Sequence, residues 1–80
     1  MLGKEKELKL IITVYNTTAA IKMEKEFQTE GIPGRLIPVP RQISAGCGLS
    51  WMTDVTEREI IEKKIHELGL EVQGLHEIML

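Results

Sequence analysis

Between residues 8 and 15 the chain reads LKLIITVY, with Leu8, Leu10, Ile12 and Val14 at every second position. β-Branched residues crowd the stretch, and Ile11 adds an apolar side chain to its other face, so it predicts a central β-strand. The "NTT" at 16–18 supplies capping groups, and the period then changes. From Thr18 to Glu30, Ala20, Met23 and Phe27 share one helical face, while Lys22, Glu24, Lys25 and Glu26 take the wet side. Gly31 and Pro33 end that helix.

"RLIPVP" (35–40) predicts a second strand, but Pro38 and Pro40 cannot donate to a ladder, so it belongs at a sheet edge. "LSWMT" (49–53) alternates Leu49 and Trp51 against Ser50 and Met52 as a third strand. Thr56 and Glu59 have capping-box spacing ahead of a second helix, in which Ile61, Ile65 and Leu68 fall on one face and Gly69 closes. "LEVQGLHEIML" (70–80) predicts a last strand interrupted by Gly74.

The order is β-α-β-β-α-β. With right-handed crossovers, the simplest packing is α+β: a ferredoxin-like sandwich of one antiparallel sheet, order 4-1-3-2, with two helices on one face. That order makes the second strand an edge, as its prolines require. Residues 1–7, mostly Lys and Glu, are expected to be a flexible arm, and 8–80 a single domain.

Composition narrows the function. A chain of 80 residues buries roughly 60% of its extended surface, enough for one modest core. Hydrophobic residues at 42% and charged residues at 28% are ordinary for a soluble domain. A formal charge of −2 argues against nucleic acid, whose binders carry a basic surplus. No apolar run is long enough for a membrane span, and "MLGKEKELK" does not read as a signal peptide. The single cysteine allows no internal disulfide and suits a reducing compartment, so the cytoplasm is the expected location.

That cysteine lies in "PRQISAGCGLSW" (40–51), bared by Gly46 and Gly48. A cysteine kept for packing sits among apolar neighbours; this one is flanked by nothing that covers it. In the expected topology the Cys47 loop, the Asn16–Thr18 loop and the Gly69 turn gather at one end of the sheet. The first helix would point its free N–H groups there, favouring an anion and lowering a thiol pKa from about 8.5. Glycine-rich amides form anion-binding nests. Candidate partners for an anion on Cys47 are Arg41, Ser44, Gly46, Gly48, Asn16, Thr17 and Thr18. A turn that needs its glycines only for backbone angles explains the same stretch.

Other chemistries fit less well. One Cys with His66 and His76 matches no zinc spacing, so no metal or cofactor is expected. Hydrolysis on the thiol would need a histidine beside it; neither is evidently placed there, although His66 lies nearer that end. RNA recognition would need stacking aromatics on the central strands, where only Trp51 and Tyr15 stand. The first loop reads YNTT, without the Cys-x-x-Cys of a metallochaperone.

The stretches VYNTTAAIKMEK (14–25), GIPGRLIPVPRQIS (31–44) and CGL (47–49) resemble a family of small bacterial and archaeal domains, the selenium/sulfur carrier-like proteins. The resemblance runs from about Leu8 to Ile78. Its most specific part is Pro-x-Pro-Arg-x-Ile-Ser-x-x-Cys-Gly-Leu, here Pro38 to Leu49. Thr17, Ala20, Glu24 and Lys25 match the start of the family's helix. The resemblance implies a ferredoxin-like fold and carriage of sulfur or selenium on Cys47 as a persulfide or selenide. It also implies a donor protein, such as a cysteine desulfurase, and an acceptor protein. On this reading the chain is a carrier with at most a sulfurtransferase-like half-reaction. A non-catalytic module binding a small ligand or a protein, and a thiol redox sensor, remain open at the same loop. The last strand is available to pair with a second copy.

Overall fold

The computed structural model describes residues 6–43 and 48–80. Of the expected N-terminal arm, residues 1–5 lie outside that range, as do Ser44, Ala45, Gly46 and Cys47 of the cysteine loop. The element order is β1 (Leu8–Thr13), α1 (Thr17–Thr29), β2 (Arg35–Pro38), β3 (Leu49–Asp54), a 3-10 turn (Val55–Glu57), α2 (Arg58–Leu68) and β4 (Gly74–Met79). The strands form one antiparallel sheet in the order β2-β3-β1-β4, the 4-1-3-2 arrangement expected from the sequence.

Register explains the burial pattern. Ile12 lies opposite Trp51 and Leu75, and Leu36 also faces Trp51. Directly opposed residues share a face of the sheet. This face meets the helices: Leu10, Ile12, Val14 and Trp51 join Ala20, Met23 and Phe27 of α1 and Ile61 of α2 in one core. Phe27 meets Trp51 edge-on, with ring centroids 5.4 Å apart, an arrangement that adds about 1 kcal/mol to simple burial. Trp51 is fully buried on this side and so cannot serve as a stacking platform. The other face carries Lys9, Ile11 and Thr13 beside Met52, Ser50 and His76.

Several local details depart from the sequence reading. The Thr56–Glu59 capping box does not form. Instead Asp54 caps the 3-10 turn, its carboxylate accepting from the Thr56 amide at 3.2 Å, and α2 starts at Arg58 with no side-chain cap bond. An extra tight turn intervenes because the chain must swing from β3 onto the helix layer. Gly74 does not interrupt the last strand; it begins it. Leu70 is instead tied to the end of α2, its amide donating to the Ile65 carbonyl, with its side chain packed on the core. Gly69 closes α2 at φ 63°, as expected.

Ion pairs fasten the helices to one another and to the sheet. Arg58 reaches Glu77 on β4 at 2.8 Å, and Lys64 of α2 reaches Glu30 at the end of α1, also at 2.8 Å. These hydrogen-bonded carboxylates hold the Arg58 and Lys64 pKa values above their ordinary range, as Glu7 does for Lys9.

Candidate functional site

The site is built at the end of the sheet where β1 finishes and β3 begins. Thr13 lies opposite Ser50, so the chain leaving β1 and the chain entering β3 are neighbours across one strand spacing, about 4.8 Å. The cysteine loop re-enters the described structure at Gly48, whose φ of 81° suits only a glycine comfortably. Its carbonyl accepts from the Val39 amide at 3.0 Å, prolonging the β2–β3 pairing by one link. On the other arm, Pro40 to Ile43 form a turn closed by the Ile43 amide at 3.0 Å. That turn leaves Arg41 exposed at its corner and Ile43 buried.

Asn16 is the N-cap of α1. Its backbone is extended and its Oδ1 accepts from the Ala19 amide at 2.8 Å, while its own carbonyl accepts from Ala20. The capping bond occupies the acceptor oxygen, which leaves the amide NH₂ of Asn16 for an outside partner. Thr17 and Thr18 are exposed on the first turn, which contains no acidic residue to oppose an incoming anion.

A concavity of about 270 Å³ opens here, lined chiefly by Asn16, Thr18, Lys22, Gly69 and Glu71. It joins the Asn16–Thr18 loop to the Gly69 turn, as the topology required. Lys22, placed on the wet side of α1 by its period, sits one turn after Thr18 and adds a cation to this hollow. Glu71 adds an opposing charge. Arg41 and Gly48 do not line it. The structure thus gathers Asn16 and Thr18 with the Gly69 turn, and sets Arg41 and Gly48 on the two arms of the cysteine loop. Ser44, Gly46 and Cys47 fall outside the described residues. A larger concavity, about 340 Å³, lies at the opposite end, around Lys9, Pro33, Gly34, Arg35 and Asp54.

Thr13 carried no functional reading in the sequence, and His76 was set aside there as a metal ligand and as a partner of the thiol. Thr13 is fully buried on the face away from the helices, and its hydroxyl donates to the Gly74 carbonyl at 3.3 Å. His76 Nε2 stands 3.4 Å from the same hydroxyl. The pairing of Thr13 with Gly74 brings this imidazole toward the loop end of β1, although His76 is far from that loop in sequence. Only strand register reveals that proximity. Ser50 is buried beside them, its hydroxyl donating to the Ile37 carbonyl at 3.3 Å.

The family model described as "Putative Se/S carrier protein-like" matches residues 9–77 of the chain. No curated protein and no solved structure matches. Among the described residues, no helix is long and apolar enough to cross a membrane.

Proposed function

Because the chain belongs to the Se/S carrier protein-like family, we propose that it carries sulfur or selenium on Cys47 and hands it to a partner protein. The observation that carries this reading is the family match, which spans the only cysteine in the sequence. The βαββαβ order and the 4-1-3-2 sheet support reading the fold as a ferredoxin-like sandwich.

In the loading step the Cys47 thiolate attacks the outer sulfur of a donor's persulfide. The donor's S–S bond breaks, its cysteine leaves as a thiolate with the bonding pair, and a new S–S bond forms on Cys47. No external oxidant or reductant is needed. In delivery, an acceptor nucleophile takes the terminal atom and Cys47 departs as thiolate. With a selenium donor the terminal atom is selenium. Arg41, Ser44, the Gly46 and Gly48 amides and the Asn16–Thr18 turn are the groups assigned to hold the terminal anion. The assigned setting is a reducing cytoplasm, where a lone thiol stays available.

The test is the intact mass of the protein after incubation with a cysteine desulfurase and cysteine in the absence of reductant. The expected result is the added mass of one sulfur atom, removed by reductant and absent from Cys47→Ser. No addition, or addition that survives in Cys47→Ser, overturns the reading. The hollow beside Asn16 and Lys22 favours a second reading, a module that binds a small anion with Cys47 incidental. A failed loading test would turn attention to ligands of that hollow.

A further inference from the structure

One face of the sheet lies away from the helices, yet its loop end is closed to solvent. Ile11 and Thr13 of β1 share that face with Ser50 and Met52 of β3, and Ile37 of β2 lies opposite Ser50. Ile11, Thr13 and Ser50 are each 0% exposed. Neighbours within the sheet account for Ile11, which lies between the half-buried Met52 and His76. They do not account for the row at the loop end, where Ile37, Ser50, Thr13 and Gly74 stand side by side. The two middle side chains are short and Gly74 has none. The His76 ring leans over Gly74, with Nε2 3.1 Å from where a Cβ would stand. Complete burial of Thr13 and Ser50 calls for a further group laid over them from outside the sheet.

Ile43 is the described residue that fits. It is buried, at 9% exposure, but it is no part of the core between sheet and helices, nor of the half-buried residues packed on that core, such as Leu36 and Leu49. The other connections at this end are committed elsewhere: Leu70 and Val72 pack on the helix-side core, and Tyr15 is exposed. We infer that Ile43 seats on the helix-free face over Thr13 and Ser50, and so acts as a positioning residue for the cysteine loop. Ile37 already lies on that face, and the turn from Pro40 to Ile43, closed by the Ile43 amide, folds the chain back toward it. Two anchors then bracket residues 44–47. One is Ile43 on the sheet; the other is the Gly48 carbonyl, which accepts from the Val39 amide at 3.0 Å. So short an interval cannot stray far from its ends, so the seat of Ile43 limits where Cys47 can stand. The functional meaning of this anchor rests on the role proposed for Cys47; the seat itself does not.

Nuclear Overhauser spectra of the native chain test the seat. Cross-peaks are expected from the Ile43 methyls to the Thr13 methyl and the Ser50 β-protons, and none to Val14, Phe27 or Ile61. Absence of the Thr13 and Ser50 cross-peaks overturns the proposal, and that measurement needs no variant to fold. Iodoacetamide labelling tests the positioning. In Ile43→Ser the rate at Cys47 is expected to fall several-fold at neutral pH, as the thiol leaves the N–H groups that favour its thiolate. Ile43→Val is expected to restore it, with Trp51 emission native in both variants. Labelling of folded Ile43→Ser at the native rate or faster overturns the positioning role. A native chain that passes both tests but takes up no sulfur removes the carrier reading and leaves the anchor standing.

Discussion

A Cβ added to Gly34 would lie 2.6 Å from Nε1 of Trp51 and 2.5 Å from the Met52 carbonyl oxygen. The backbone entering β2 therefore lies directly against the edge of the buried indole, at φ 134°, where side chains are rarely found. The contact ties the edge strand to the centre of the core. Gly34→Ala should lose about 2–3 kcal/mol through backbone strain and overlap. For a domain of this size that corresponds to about 8–24 °C in the thermal midpoint. Thermal unfolding followed by circular dichroism measures it; an unchanged midpoint would mean that β2 can draw away from Trp51 at no cost.

Asn16 has two separable duties. Asn16→Ala should cost about 1 kcal/mol, because the Ala19 amide loses its cap. Asn16→Asp keeps an accepting oxygen there and should leave stability near native, while setting a carboxylate in the hollow beside Thr18. Persulfide loading of the Asp variant, followed by intact mass, should fall. Native loading in that variant would remove the start of α1 from the site.

Lys64 links the helices through Glu30 and Glu67, which raise its pKa above 10.5 in the folded chain. A raised pKa means that the folded state holds the proton more tightly than the unfolded state. The stabilisation is therefore complete below 10.5 and fades as pH rises through the folded value. Denaturant melts of the native chain and Lys64→Met should differ at pH 7 and converge at strongly alkaline pH. A gap that stays constant across that range would show that the difference comes from the side chain's packing.

Cys47 should be alkylated with a midpoint below the free-thiol value of about 8.5, since a carrier must present a thiolate near neutrality. Rates of iodoacetamide labelling against pH provide the measurement. A midpoint at or above the free value would favour an incidental cysteine. If labelling is fast but the stable product is a disulfide, the sensor reading gains instead.

The sequence made the sheet legible where one residue type had a single structural meaning. Pro38 could only stand at an edge, and β2 is an edge. Ala20, Met23 and Phe27 could only share a buried helical face, and they are the buried residues of α1. Capping was less legible, because Thr56 and Asp54 offer similar oxygens and the choice between them depends on how the chain turns out of β3. Gly74 was ambiguous for the same kind of reason: a glycine can interrupt a strand or begin one. Of the candidate site, the meeting of Asn16 and Thr18 with the Gly69 turn followed from topology alone. The approach of His76 to Thr13 did not, since a one-residue change in register would send the imidazole to the other face of the sheet.

The central position of β1 has a consequence for how the chain is made. Thr13 finds its partner in Gly74, 61 residues later, and Leu8 finds its own in Met79. During synthesis the first strand is complete long before the last one exists. Until then its most apolar stretch, Leu10 to Ile12, has an open flank that another nascent chain can occupy. Productive folding must wait for β4 to emerge, and such long-range pairing is slow. A fragment ending before Gly74 should therefore aggregate, because β1 then keeps an open flank that only β4 closes.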